Sequence, residues 1–163
     1  MRELTPEPLT AEAFAPFGSV IEAGDGAVQI DINQGHAVRY DALAEVDVAD
    51  GGGTPVVSLF RARPLGEFVL KVFERHALGS QSFVPLNGRP YLVAVAPPGA
   101  FDPAGIRLFR AEGQQGVHYR KGAWHHFLLV LEPSDFLVVD RAGPGENCEE
   151  VELAPADRIR VSL

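Results

Sequence analysis

"GVHYRKGAWHHF", residues 116–127, is the stretch that decides the predicted fold, and it holds three of the chain's five histidines and its only tryptophan. A Lys121-Gly122 turn divides it, and an apolar run at 128–131 follows. Short apolar segments on either side of a glycine turn are typical of paired β-strands. The same rhythm continues through the chain, where Gly and Pro occupy the joints between segments. An all-β fold, either a sandwich, a jelly roll or a barrel, is therefore predicted.

The predicted elements fill one domain that covers residues 1–163. A helical turn is expected at 11–14, because Thr10 can cap it and Pro16 and Gly18 stop it. The predicted strands are 19–22, 37–40, 56–63, 68–76, 81–85, 91–96, 107–111, 117–119, 126–131, 136–140 and 157–161.

Charge and cysteine content exclude several classes of function. The formal net charge is -8 and no cluster of Lys and Arg stands out, so nucleic acid is not an expected partner. The single cysteine, Cys148, cannot form a disulfide within the chain, which fits a reducing, cytoplasmic compartment. The start of the chain lacks a signal-peptide core, and no apolar run is long enough to span a bilayer, so no membrane association is expected.

Polar side chains come together where predicted strands end. In "FVLKVFERH" (68–76), alternation places Glu74 and His76 on one otherwise apolar face. Such a pair marks either a pocket or an exposed strand end. His125 and His126 are neighbours on a strand and must point to opposite faces, so only one of them can join Glu74 and His76.

The spacing of these residues resembles the two metal-site motifs of the cupin superfamily. Gly122 and His125 match the second motif, whereas the first is represented by Glu74, His76, Gln81 and Gly88. The resemblance implies a double-stranded β-helix, that is, a jelly-roll barrel with short peripheral helical turns. Its interior would hold either a divalent metal or a small polar substrate. The candidate metal ligands are Glu74, His76, Gln81 and His125; no cofactor is certain, because Gln is a poor ligand for Ni²⁺ or Zn²⁺. The alternative for both histidines is a satisfied place in the core.

Longer segments resemble the ureidoglycolate lyase family. They are "DINQGHAVRY" (31–40), "SLFRARP" (58–64), "FERHALGSQSFVPL" (73–86), residues 116–127, and "VDRAGPGENCEE" (139–150). The resemblance implies a homodimer that splits (S)-ureidoglycolate into glyoxylate and urea during allantoin degradation, with a possible response to Ni²⁺. Three residues depart from the family pattern: Ala77, His118 and Phe127 replace the usual Pro, Asn and Pro.

Cleavage of this substrate requires a base, a proton donor and a cation for the carboxylate. Histidine suits the first task and arginine the last. The candidate catalytic residues are His76, His125 and Tyr119, with His125 expected to be the catalytic histidine of the 116–127 stretch. Candidate substrate contacts are Arg61 for the carboxylate, Gln81 for the ureido group, Glu74, Trp124 as a wall, and Asn33 and Arg39 by resemblance only. Arg61 is either a pocket or a rim residue. Two alternatives remain, an amidohydrolase that releases ammonia from the same substrate and a non-catalytic small-molecule-binding domain.

Overall fold

A computed structural model describes residues 1–163, and β-strands dominate it. The only α-helix is α1 (Ala11–Phe14), capped by the Thr10 side chain, and short 3-10 turns occur at Asn33–Gly35, Asp50–Gly52 and Pro103–Gly105. The strands in chain order are β1 (Arg2–Leu4), β2 (Glu7–Pro8), β3 (Gly18–Ile21), β4 (Val28–Ile32), β5 (Ala37–Asp41), β6 (Thr54–Ala62), β7 (Val69–Leu70), β8 (Val72–Arg75), β9 (Gln81–Pro85), β10 (Tyr91–Ala96), β11 (Arg107–Ala111), β12 (Gly116–Tyr119), β13 (Trp124–His125), β14 (Leu129–Val130), β15 (Ser134–Ala142), β16 (Glu149–Glu152) and β17 (Ile159–Val161).

Two sheets face each other and enclose the main core. One has the strand order β3-β12-β9-β15-β6, and the other has the order β16-β8-β13-β10-β11-β2 with β14 also paired to β10. Val93 and Phe109 of the second sheet meet Phe83 and Phe136 of the first in one apolar cluster. The all-β prediction is confirmed, and the architecture fits a cupin-like jelly roll. The strands form separate sheets and do not close into one barrel.

A third, smaller sheet covers the outer face of the second one. Its order is β1-β17-β7. Leu70 and Ile159 of this sheet pack with Leu108 and Trp124 in a second apolar cluster. The fold therefore has three layers and two cores, one on each face of the sheet that contains β13.

The predicted strand 68–76 is broken at Lys71, which corrects the alternation expected there. Leu70 pairs with Ile159 in the small sheet, whereas β8 pairs with β13 and β16 in the central one. Leu70 and Phe73 consequently face the same outer core, and the expected face of Phe68, Leu70 and Val72 does not lead to Glu74. The segment serves two sheets at once, and alternation holds only within each part.

Other boundaries also differ from the prediction. Of the predicted strand 126–131 only β14 (Leu129–Val130) forms; β13 ends at His125, just before it, and residues 126–128 separate the two strands. β1, β2, β4, β13 and β16 were not predicted. β1 and β2 pair in parallel with distant strands, so their pairing depends on tertiary contacts that no local pattern reports. No helix has the length and apolar character needed to cross a membrane.

β4 and β5 form a hairpin that stands apart from the three layers. We call residues 28–41 the hairpin arm. Its two strands form a sheet of their own and pair only with each other. All five residues of β4 are exposed. An isolated hairpin is marginally stable in water, so the arm lacks the support that the other strands receive.

Candidate active site

A cavity of about 360 Å³ opens between the two large sheets near the end of β6. That volume is in the range of small-molecule sites. The polar groups lining it come from five different strands and the residues next to them. The lining residues are Phe60, Arg61, Ala62, Arg63, Leu65, Glu74, Gln81, Phe83, Tyr119, His125, His126, Phe127 and Leu128.

His125 is held in one orientation by its surroundings. It lies on β13 directly opposite Glu74 of β8 and is only 2% exposed. Its Nδ1 lies 3.1 Å from the carbonyl oxygen of Ala123, which can only accept, so Nδ1 carries the proton of the neutral ring. The Tyr119 ring stacks on the imidazole with centroids 4.3 Å apart and planes within 6°. The Nε2 atom is thereby left unprotonated and aimed at the site.

His76 is held in the same way. Its Nδ1 lies 2.7 Å from the carbonyl oxygen of Asn147, and the Asn147 side chain also accepts a 2.7 Å hydrogen bond from the Leu78 amide. The His76 Nε2 and the His125 Nε2 are both buried and have no hydrogen-bond partner. An imidazole whose Nδ1–H is bound to a carbonyl is typical of metal-binding and catalytic histidines.

Glu74 lies between the two imidazoles. Its Oε1 is 3.4 Å from His125 Nε2 and 3.9 Å from His76 Nε2. The pKa of Glu74 is lowered, principally by the neighbouring His125 and against the opposing effect of burial. Glu74 is therefore an anion at neutral pH, and its carboxylate lies beside both Nε2 atoms.

Gln81 adds a further acceptor to the cavity. Its amide nitrogen donates a 3.2 Å hydrogen bond to Asp140 Oδ2. Because a carboxylate only accepts, Asp140 orients the amide and leaves the Gln81 oxygen buried without a partner.

The predicted ligand residues fit a divalent cation. Glu74, His76 and His125 offer ligand atoms that lie within 4.8 Å of one another. The unpartnered nitrogens, the carboxylate and the Gln81 oxygen are all electron-pair donors, so a positive partner suits them.

Tyr119 lines the cavity and is a candidate proton donor. It is buried, and burial raises the pKa of its phenol, with a smaller contribution from Glu74. The group consequently keeps its proton at neutral pH and can donate it into the cavity.

Two arginines border the cavity, one with an ion pair in the chain and one without. The Arg61 guanidinium binds Asp135 through two bonds of 2.9 and 3.0 Å, and its side chain is 79% exposed. Of the pocket and rim positions considered for it, the structure shows the rim. Arg63 lines the same cavity and makes no ion pair within the chain.

Four predicted site residues are not among those that line the cavity of their own chain. His76 is next to the lining residue His125, with ring centroids 5.1 Å apart. Trp124 is in the outer core, where its Nε1 donates to the Gly99 carbonyl and Arg75 stacks on the ring. Asn33 lies in the turn of the hairpin arm, and Arg39 on the arm pairs with Asp41 at 2.7 Å.

The other two histidines of the 116–127 stretch have mainly structural contacts. His126 borders the cavity but packs its ring edge-on against Phe73, and burial lowers its pKa to about 4. His118 contacts Ser82 Oγ through Nδ1 at 2.7 Å, and burial lowers its pKa as well.

Sequence reasoning missed four residues near the cluster: Asp140, Asn147, Arg63 and Cys148. Cys148 lies 3.8 Å from Glu74 through its sulfur. Asp140 was detectable in principle, because it shares the alternating face of Phe136 and Val138. Asn147 and Cys148 follow a glycine-rich turn whose path no periodicity reports.

Such a fold, with two backbone-anchored histidines and a carboxylate converging in a small cavity, defines a cupin-like enzyme that acts on a small polar molecule. The family model described as ureidoglycolate lyase matches residues 1–161. The chain belongs to the ureidoglycolate lyase family.

Curated relatives agree with this assignment. A protein of Burkholderia mallei (strain NCTC 10229) named ureidoglycolate lyase is 56% identical over 155 residues, which cover 94% of this chain and 91% of the relative. A Pseudomonas putida (strain W619) protein of the same name is 50% identical over 92% of this chain and 91% of its own length. A Pseudomonas fluorescens (strain Pf0-1) protein of that name is 49% identical, with coverage of 98% and 96%.

Proposed function

We propose that this protein is a lyase that cleaves (S)-ureidoglycolate into glyoxylate and urea. Two buried histidine Nε2 atoms without a hydrogen-bond partner, 3.4 and 3.9 Å from one carboxylate oxygen, carry the proposal, because they offer a base at a cavity of suitable size. Family membership supplies the substrate.

The reaction is the reverse of adding urea to an aldehyde. The Nε2 of His125 or His76 takes the proton of the substrate hydroxyl, and the oxygen electron pair forms the new carbonyl bond. The carbon–nitrogen bond breaks, its electron pair moves to the ureido nitrogen, and the Tyr119 hydroxyl donates the proton that this nitrogen needs. The imidazolium returns a proton to Tyr119. Glu74 stabilises the transient imidazolium between these steps.

The remaining lining residues position the substrate. The Gln81 oxygen accepts a hydrogen bond from a ureido N–H, because Asp140 keeps the amide nitrogen turned away. Arg61, at the rim, attracts the substrate carboxylate, with Arg63 beside it on the same side of the cavity. Trp124 supports the strand that carries His125 from behind.

A divalent cation such as Ni²⁺ would be held by Glu74, His76, Gln81 and His125. A histidine whose Nε2 holds the cation could not also be the base, and the bound cation would instead act as a Lewis acid toward the substrate oxygens. Comparison of the purified, chelator-treated and Ni²⁺-supplemented protein measures how far activity depends on it.

The family resemblance also supports the biological setting that we propose. The chain acts as one domain, as a homodimer, in the cytoplasm, and in the breakdown of allantoin. A two-fold dimer is the commonest form of soluble oligomer.

The decisive experiment follows three products separately. The protein is incubated with (S)- and (R)-ureidoglycolate, and urea, ammonia and glyoxylate are each measured. Equal amounts of urea and glyoxylate from the (S) form support the lyase. Ammonia in place of urea would identify an amidohydrolase, and binding without turnover would identify a non-catalytic domain.

A further inference from the structure

The hairpin arm presents apolar side chains to water. Val28, Ile30 and Ile32 alternate along β4 and therefore share one face, and Val28 is 64% exposed. Arg39 lies opposite Ile30 in the register and is on the same face. A protruding hairpin with an apolar face is typical of an interaction element.

A second unpartnered apolar surface lies on β6. This strand is at the edge of its sheet, so one side of its backbone has no neighbouring strand. Val57 and Leu59 share its outer face and are 65% and 68% exposed. Leu137 and Val139 lie beside them on β15, which extends the apolar face. A free, nine-residue edge strand is a template for pairing with another chain.

The two surfaces are complementary in charge. The hairpin arm carries Asp31 and Asp41 against one Arg39, whereas residues 54–63 carry Arg61 and Arg63 and no acidic residue. Two copies of a chain with net charge -8 repel each other in general, so a basic strand facing an acidic arm marks where they can approach.

The turn of the arm holds an uncommon backbone conformation. Asn33 and Gln34 have consecutive φ values of 52° and 58°, in the left-handed region. Conformations of this kind cost about 1–3 kcal/mol each and are kept mainly where a precise shape has a function.

We propose that the hairpin arm of one copy packs on β6 of a second copy, and the reverse, and that the arm brings Arg39 to the rim of the partner's cavity. β6 ends at that rim, since residues 60–63 line the cavity. The ion pair of Arg39 with Asp41 is at the surface, with the Arg39 side chain 62% exposed, so the guanidinium can turn to join Arg61 and Arg63 around the partner's substrate carboxylate. The role of Arg39 rests on the proposed function; the exchanged arm does not.

The first test measures assembly by light scattering. Wild type is expected at twice 17.6 kDa, and Leu59→Asp and Ile30→Asp are each expected at 17.6 kDa with unchanged circular dichroism. Leu163→Asp is the matched control, because Leu163 is 71% exposed next to the small third sheet. A monomeric wild type, or dimers that survive both substitutions, would overturn the exchange.

The second test asks whether the arm acts on the partner's site. Arg39→Ala and His125→Gln, each with low activity alone, are mixed, dissociated and reassembled. Half of the dimers are then mixed and hold one complete site each, so about one quarter of wild-type activity is expected. A mixture of Glu74→Gln and His125→Gln, both defective in the cavity, is the control and should gain nothing.

The outcomes of the second test separate the two hypotheses. No gain in the first mixture, or full activity of Arg39→Ala alone, would refute the trans role of Arg39. A dimeric wild type that fails to cleave ureidoglycolate would refute the proposed function and leave the exchanged arm supported by light scattering.

Discussion

His125 and His126 are consecutive residues at the end of β13, yet their side chains have different surroundings. His125 is anchored by the Ala123 carbonyl and by the stacked Tyr119 ring, with its free nitrogen toward Glu74. His126 packs on Phe73, which belongs to the outer core. The opposite directions of two consecutive side chains thus place His125 in the cavity cluster and His126 against the outer core.

Substitution of His125 by Gln should abolish most activity without unfolding the protein. We expect turnover to fall by ~10²-fold or more, the effect of removing a general base, with little change in melting temperature. His126→Gln is expected to lower the melting temperature more than His125→Gln does, and to lower the activity less. Glyoxylate release and thermal unfolding, measured on both variants, distinguish the two; the reverse pattern would assign the base to His126.

Asp140 provides a test of how Gln81 is oriented. In Asp140→Asn the new amide can donate to the Gln81 oxygen, so the Gln81 side chain is free to turn over. We expect the KM for ureidoglycolate to rise roughly fivefold, since an aligned hydrogen bond is worth about 1 kcal/mol, while kcat changes less. Glu152→Gln, which removes one partner of a surface ion pair, is the control. An unchanged KM would remove Asp140 from the positioning of Gln81.

At the scale of elements, local pattern predicted most strands but not their partners. Gly and Pro at the joints located strands such as β9, β10 and β11 within a residue or two. The break at Lys71 escaped prediction because β7 and β8 belong to different sheets, and sheet membership is not encoded in the alternation of a single segment. The unpredicted β4 is polar and apolar in alternation, yet it has no core to face.

The pairing of β3 with β12 depends on Gly18. A Cβ atom at this position would lie 1.8 Å from the His118 carbonyl oxygen, and the backbone has φ +154°. We expect Gly18→Ala to lower the free energy of unfolding by about 2–4 kcal/mol, measured by chemical denaturation. Gly26→Ala, where no atom lies within 4 Å of the added Cβ, is the control and should be close to neutral. Equal stability of the two variants would contradict this account of β3.

For the molecule as a whole, the family and the central residue cluster could be predicted from the sequence, whereas the contacts around that cluster could not. Glu74, His76, Gln81 and His125 come together because cupin-like motifs specify register. The pairing of Arg61 with Asp135 depends on the neighbouring strand β15. The hairpin arm carrying Asn33 and Arg39 pairs only with itself, so no pairing with the three layers could be used to predict its position.

Stability should fall as the pH drops below about 6.5, the ordinary pKa of histidine. The pKa of His118 is lowered in the fold, because burial outweighs the opposing effects of Asp47 and Glu45. The unfolded chain therefore binds a proton that the native state excludes, and the free energy of unfolding decreases with acidification by up to about 1.4 kcal/mol per pH unit.

The variant His118→Asn tests this origin of the acid sensitivity. Asn keeps a hydrogen-bonding group near Ser82 but does not titrate. The free energy of unfolding of the variant should therefore depend less steeply on pH between about 6.5 and 5 than that of the wild type. Denaturation curves across that range provide the measurement. The pKa of His126, lowered to about 4, acts with the same sign in this window and leaves a residual slope in the variant, whereas the lowered pKa of Glu74 acts below about 4.5. Parallel slopes for the variant and wild type would show that His118 is not responsible.

The buried position of Trp124 has a spectroscopic consequence. It is the only indole in the chain, it is shielded from water, and its ring lies against Arg75 on the reverse side of the strand that carries His125. All tryptophan fluorescence of the protein therefore originates one residue from the site. Its emission maximum should lie at short wavelength, and its intensity should respond when glyoxylate or a cation shifts His125. The protein thus contains a built-in optical reporter, with which ligand binding can be titrated without any added dye.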